Sequence, residues 1–219
     1  MTPFTFADRE AAGRALAGEL SRYADHPDVM VLALPRGGLP VGFEIARALH
    51  APLDVFLVRK LGAPHYEELA MGAIASGGTR VLNEEVVERL HISEAQIEET
   101  VRREARELER REEAFRRGQP PTTTANRICI LVDDGLATGS TMRAAVLALK
   151  KQSPRRIIVA VPVAAADTCA DLESLVDEVL CLYTPEPFMA VGRWYDDFAQ
   201  LSDDEVRDYL ERAAHEMAH

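Results

Sequence analysis

The chain lacks any uninterrupted apolar run of about 18 residues, the length a helix needs to cross a bilayer, so no membrane-spanning segment is expected. Residues 1–10 carry neither the basic block nor the apolar block of a secretory leader. A basic excess is missing too: Lys and Arg number 25 against 36 Asp and Glu, for a formal net charge of −11. That excludes a broad nucleic-acid footprint, whose affinity comes from Lys and Arg on phosphates. It does not exclude a small anionic ligand, which needs only a few local cations and oriented N–H groups. Cysteine is scarce and odd in number, at Cys129, Cys169 and Cys181, and no Cys/His spacing suggests zinc. Cys129 and Cys181 lie inside apolar runs, so buried thiols in a reducing cytoplasm are the expectation. There is no repeat at solenoid period and no low-complexity tract.

What is present is organised around residues 128–143, Ile-Cys-Ile-Leu-Val-Asp-Asp-Gly-Leu-Ala-Thr-Gly-Ser-Thr-Met-Arg. The β-branched run Ile128–Val132 predicts a buried strand. Asp133 and Asp134 stand where it ends, 135–141 is small, polar and Gly-containing, and 142–150 reads as a helix. Backbone N–H groups of such a loop and the positive end of the helix dipole favour a phosphate. Two carboxylates beside that loop suit hydroxyls or a metal, and a sugar phosphate fits all of these together.

The 219 residues are read as one domain, 1–219. An amphipathic helix opens it over 6–23, with Asp8 as N-cap. Residues 29–34 form the first strong strand and run into Pro35-Arg36-Gly37-Gly38; a helix over 41–49 and a strand over 53–58 complete a βαβ unit, which predicts a parallel sheet. The Arg36 turn thus lies at a carboxyl strand end, where open α/β sheets bind ligands. Arg59-Lys60 ends the next strand, 61–71 reads as a loop, and 72–75 with 79–82 as a short hairpin. Residues 83–118 form a charged helical insertion whose long helix covers 93–117 and starts at the N-cap Ser93. Glu98–Arg102, Glu99–Arg103, Glu107–Arg111 and Glu113–Arg117 are spaced for i,i+4 pairing. The insertion is a solvated arm or, because Val101, Leu108 and Phe115 recur every seven residues, a homodimer contact. A linker follows over 118–126, then strands over 156–163 and 179–183 around a helix over 165–176. Residues 184–200 form an aromatic hood segment, and a capping box at Ser202 and Glu205 opens the closing helix.

Three of these features coincide: Pro35-Arg36-Gly37-Gly38 after one strand, Arg59-Lys60 at the end of the next, and Val-Asp-Asp-Gly-Leu-Ala-Thr-Gly-Ser-Thr over 132–141. Together they resemble the type I phosphoribosyltransferases. The resemblance implies an α/β fold with a doubly wound, mainly parallel sheet, a small hood and, here, a long helical insertion. It implies Mg²⁺-dependent transfer of phosphoribose from 5-phosphoribosyl 1-diphosphate (PRPP) to a nitrogen acceptor such as a nucleobase, in nucleotide salvage, with release of pyrophosphate. In that scheme Asp133 and Asp134 hold the ribose hydroxyls and help the Mg²⁺. The loop of Gly135, Ala137, Thr138, Gly139, Ser140 and Thr141 wraps the 5′-phosphate. Arg36, Gly37 and Gly38 form the pyrophosphate loop, with a cis peptide at Pro35–Arg36. Lys60 and Arg59 meet the pyrophosphate, and 61–71 covers the site. Ala137 stands where members acting on 6-oxopurines carry an Asp, so the base is not named. Phe188, Trp194 and Tyr195 are candidates for stacking on a planar acceptor, and Glu67, Glu68 and Asp196 for proton transfer. The competing reading is a non-catalytic PRPP-binding regulator.

Overall fold

The computed structural model describes residues 4–117 and 120–217, with the side chains of Glu67 and Glu68 outside the described residues. The opening helix α1 is Arg9–Glu19, and Asp8 caps it by accepting from the Ala11 N–H at 2.6 Å. Then follow β1 (Val29–Ala33), α2 (Gly38–Leu49) and β2 (Leu53–Val55). A second group comprises β3 (Val58–Ala63), β4 (Tyr66–Ala75), β5 (Thr79–Leu82), α3 (Glu84–Arg89) and α4 (Glu94–Arg116). The chain then returns through β6 (Ile128–Val132), α5 (Ser140–Lys151), β7 (Arg156–Val163), α6 (Ala166–Glu173) and β8 (Glu178–Tyr183) to the closing helix α7 (Asp203–Met217).

The main sheet has the order β2-β1-β6-β7-β8, with every neighbouring pair parallel. The central strands β1 and β6 are apolar and buried throughout, and β7 is so after Arg156, because both faces are covered. Val29 and Val31 of β1 face Leu16 of α1 and Val41, Ile45 and Leu49 of α2, while Met30 and Leu32 face Met142, Val146 and Leu149 of α5. This is the doubly wound arrangement that the βαβ pattern predicts. The chain leaves β1 towards β2 on one side and returns as β6 on the other, so β1 and β6 are the neighbours at which strand order reverses. Ligands of open α/β sheets bind at that reversal, beyond the carboxyl strand ends. Ala33 pairs with Val132 at this end, and the Leu34 N–H donates to the Val132 carbonyl at 2.8 Å.

Beside it stands a three-stranded antiparallel sheet, β3-β4-β5. Here the structure corrects two expectations. Residues 53–58 are not one strand, and 61–71 is not a loop: β3 and β4 form a hairpin paired from Val58↔Ala75 to Ala63↔Tyr66. The charged Arg59-Lys60 pair interrupts the apolar pattern, so the run looks finished where it continues. Leu61, Ala63 and Met71 are nevertheless buried, because the pairing supplies them with a core. Arg59 and Lys60 therefore stand inside an antiparallel strand rather than at a carboxyl end of the parallel sheet.

Helix α4 starts at Ser93, whose hydroxyl accepts from the Gln96 N–H while the Gln96 side chain accepts from the Ser93 N–H. Its apolar stripe is covered within the chain. Ile97, Leu108 and Phe115 are buried with Leu61 and Met71 of the small sheet and Val206 of α7, and Val101 is half-buried against the same cluster. Of the four spaced acid–base pairs, Glu107–Arg111 is formed at 2.9 Å; Arg103 turns to Glu104 and Arg117 to Glu211. Among the described residues no helix is long and apolar enough to cross a membrane. The cysteine expectation is corrected as well. Cys169 of α6 and Cys181 of β8 are joined in a disulfide, and only Cys129 is a free buried thiol, pushed up to about 12 by its burial. No spacing rule reveals that pairing, since it depends on how α6 lies on β8.

Candidate functional site

The loops after β1 and β6 meet at the strand-order reversal. After β1, the Pro35–Arg36 peptide is cis and α2 begins at Gly38. Gly37 has an ordinary helical φ of −61°, so backbone freedom does not require it. Close approach does: a Cβ there would stand 2.0 Å from Asp134 Oδ2. After β6, Leu136 is stitched to the end of β7, donating to the Val163 carbonyl at 2.9 Å and accepting from the Ala165 N–H at 3.0 Å. Thr168 of α6 donates to the Ala137 carbonyl at 2.7 Å. Gly139 has φ +66°, and a Cβ there would stand 2.5 Å from Thr168 Cγ2, so this turn needs glycine on both counts. Gly139 is the N-cap of α5 and no side chain caps that helix. The Ser140 N–H makes only a long 3.5 Å contact to the Thr138 hydroxyl, and the N–H groups of this first turn are donors an anion would take. The Thr138 and Ser140 hydroxyls lie 3.1 Å apart beside them, and Ala137, Thr138, Ser140 and Thr141 are exposed.

The acidic pair is half-buried at the edge of this loop. Asp133 Oδ1 accepts from the Asp134 N–H at 2.9 Å. Burial pushes the Asp133 carboxyl well above the ordinary carboxylate range, and the Asp134 charge adds to the rise. Burial raises Asp134 also, with the Arg9 guanidinium pulling it back. Arg9 donates from Nε to Asp134 Oδ2 at 2.8 Å. The fit to a divalent cation is partial. Among the described residues no group of three or more His, Cys, Asp or Glu side chains converges as a metal site. Two adjacent carboxylates against an anion loop instead suit Mg²⁺ that takes its other oxygens from substrate phosphates and water.

The remaining candidates are placed unevenly. Gly37, Gly38, Gly135 and the 137–141 loop converge with Asp133 and Asp134. Arg36 is in the same loop, but its side chain turns outward: Nε lies 2.9 Å from Asp203 of α7, and Nη1 donates to the Leu201 carbonyl at 3.1 Å. Arg59 is bound twice to Glu104 of α4, at 3.0 and 2.6 Å, and Lys60 is exposed on β3. Tyr195 reaches the site from behind. It is 6% exposed, its hydroxyl donates to the Asp134 carbonyl at 2.6 Å, and burial holds that hydroxyl protonated. Trp194 packs edge-on against Tyr183 with its Nε1 buried and unpartnered, and Phe188 lies in the same half-buried cluster. Val191 closes over Gly135, where a Cβ would stand 2.6 Å from Val191 Cγ1. Asp196 accepts from the Thr5 hydroxyl at 2.7 Å in an exposed position. Arg9 and Asp203 are the residues that motif reading missed. Arg9 belongs to an ordinary amphipathic helix and Asp203 to an ordinary capping box, so neither carries a local signal.

Residues 6–188 match the family model described as a phosphoribosyl transferase domain. Two curated proteins of Mycobacterium tuberculosis, from strains CDC 1551 / Oshkosh and H37Rv, carry provisional phosphoribosyl transferase names. Each is 46% identical over 213 residues, which is 97% of this chain and 48% of the relative. The chain thus spans about half the length of these curated relatives. The crystal structure of TT1426 from Thermus thermophilus superposes with a TM-score of 0.87 at 40% identity, covering 95% of this chain and 99% of that one.

Proposed function

The chain belongs to the phosphoribosyl transferase domain family, and on that premise we propose that it moves phosphoribose from PRPP to a nitrogen acceptor, a nucleobase or similar heterocycle, in nucleotide salvage. The observation that carries the reading is the contact between Gly37 and the Asp134 carboxylate. It brings an anion loop, an acidic pair and a second glycine loop to one point at the strand-order reversal. A sugar with one phosphate would need only the 137–141 loop; the second loop suits a diphosphate on the other end of the sugar.

In this reading the N–H groups at the start of α5 and the hydroxyls of Thr138, Ser140 and Thr141 hold the 5′-phosphate. Asp133 and Asp134 accept from the ribose hydroxyls and so orient the anomeric carbon. The acceptor nitrogen bonds to that carbon as its bond to the diphosphate oxygen breaks, the electron pair leaves on pyrophosphate, and the proton displaced from the acceptor nitrogen passes to solvent. Bound Mg²⁺ would neutralise charge on that leaving group. The Arg36 and Gly37 backbone N–H groups face the diphosphate, while the Gly38 N–H donates to the Leu34 carbonyl at 3.0 Å, and the Arg36 side chain reaches the diphosphate by exchanging Asp203 for the ligand. The hood residues Phe188, Val191 and Trp194 close the side on which the acceptor would lie.

A second reading, a PRPP-binding regulator, is favoured by one observation. Arg36 and Arg59, two of the cations expected at the leaving group, are committed to Asp203 and Glu104 inside the chain. The two readings separate on turnover. Purified protein with Mg²⁺, PRPP and a panel of heterocyclic bases and amines is expected to release pyrophosphate with at least one acceptor. Tight PRPP binding with no release for any acceptor would establish the regulator instead.

A further inference from the structure

Arg9 has no part in the scheme just given, yet it touches the centre of it. It opens α1, 125 residues before Asp134 in the chain, and its side chain is 10% exposed. The guanidinium is used on three sides. Nε donates to Asp134 Oδ2 at 2.8 Å, Nη1 donates to the Ala199 carbonyl at 2.9 Å, and the central carbon Cζ lies over the Phe198 ring, 3.8 Å from its centroid. The segment that carries Phe198 and Ala199 is itself seated on the N-terminal strand-like stretch: the Asp196 N–H donates to the Phe6 carbonyl at 2.8 Å and the Asp197 N–H to the Ala7 carbonyl at 2.9 Å. Phe198 also stacks on Tyr195 at 5.1 Å, and Tyr195 donates to the Asp134 carbonyl. Asp134 is therefore held from both ends, its backbone by Tyr195 and its carboxylate between Arg9 and the space left by Gly37. A planar fork stacked on a ring and donating on two edges fixes direction as well as charge, which an ammonium cannot reproduce.

We propose that Arg9 is a positioning residue for phosphoribosyl transfer: anchored on Phe198 and Ala199, it fixes the Asp134 carboxylate against Gly37, so that PRPP binding depends on the seating of segment 198–199. The inference rests on the functional reading above and gives the hood-to-α7 segment a task in it. When this segment lifts, Arg9 loses two of its three anchors and Asp134 loses its fixed direction. Displacing a binding group by an ångström at such a site costs roughly a hundredfold.

The test uses the full chain with Arg9→Met, Arg9→Lys, Phe198→Leu and the double variant Arg9→Met/Phe198→Leu. Mg-PRPP affinity is measured by calorimetry, alongside the thermal midpoint without ligand. Arg9→Met is expected to bind roughly tenfold to a hundredfold more weakly, and Arg9→Lys not to restore affinity. Phe198→Leu, which touches neither acid, is expected to weaken binding in the same direction. The double variant should bind no more weakly than Arg9→Met alone, because both changes act through one guanidinium. A merely structural role predicts additive losses that track the thermal midpoint, and that pattern overturns the proposal. Full rescue by lysine overturns it too. If Arg9→Met does not fold, Arg9→Lys and Phe198→Leu decide the question by the same criteria. Wild-type affinity retained in Arg9→Met overturns this inference alone; a wild-type chain with no affinity for PRPP overturns the functional reading and this inference with it.

Discussion

Asp133→Asn is expected to be more heat-stable than the wild type at neutral pH and to bind Mg-PRPP at least about a hundredfold more weakly, a loss of about 2.7 kcal/mol. Both halves come from one feature. Asp133 is half-buried, and burial with the neighbouring Asp134 charge raises its carboxyl well above the ordinary 3.8. An acid with a raised folded pKa keeps its proton over a range in which the unfolded chain has released it. Unfolding there releases protons, so stability falls as pH rises from the ordinary value through the raised one, and the deficit is constant above. Asparagine carries no charge to desolvate, and its oxygen can still accept from the Asp134 N–H. The gap in thermal midpoint between variant and wild type should thus be small near about pH 4 and widen as pH rises. Ligand binding has the opposite pH dependence: Mg-PRPP meets the ionised pair, so wild-type affinity should strengthen as pH rises while wild-type stability falls. Midpoints across the pH range and calorimetry on both proteins measure this. An Asp133→Asn chain that is less stable at neutral pH would contradict the account of a pair held against its burial.

Arg116→Met should produce the largest loss of stability, about 3–5 kcal/mol. Arg116 is the last residue of α4 and is 8% exposed. Nε donates to Asp54 Oδ1 at 3.1 Å, Nη2 to the Val55 carbonyl at 2.6 Å and Nη1 to Glu112 at 3.0 Å. Asp54, also 8% exposed, accepts in addition from the Val55 N–H at 2.7 Å and the Thr122 N–H at 2.9 Å. The cost lies in leaving a buried carboxylate without its cation, more than in the attraction lost. Asp54→Asn/Arg116→Met should therefore recover part of the loss. Urea unfolding of wild type and both variants decides it; a single variant within about 1 kcal/mol of wild type would show that the two N–H donors alone compensate Asp54.

The sequence was most readable where one rule acts along the chain. The strands β1, β6 and β7 are continuous apolar runs because helices cover both faces, and the anion loop follows one of them directly. Caps are equally local. Asp8 and Ser93 behave as their positions predict, and Glu205 accepts from the Ser202 N–H at 2.7 Å. What escaped reading depends on partners distant in sequence. β3 and β4 are strands because they pair with each other, although Arg59-Lys60 and the Gly62 stretch look like a strand end and a loop. The Cys169–Cys181 bond follows from the docking of α6 on β8. The residues around Asp134 divide in the same way. Gly37 stands in a motif and was legible, and the aromatic hood marks Tyr195, although as a stacking residue and not as a donor to the Asp134 carbonyl 61 residues upstream; Arg9 reaches the same acid from 125 residues upstream, and no local pattern marks it.

The most direct test of the central claim is the crystal structure of this chain with Mg²⁺ and PRPP. The account predicts the 5′-phosphate on residues 137–141 at the start of α5, the ribose hydroxyls on Asp133 and Asp134, and the diphosphate at residues 36–38 with Arg36 drawn off Asp203. PRPP seated away from the Gly37–Asp134 contact, with Arg36 still on Asp203, would contradict it.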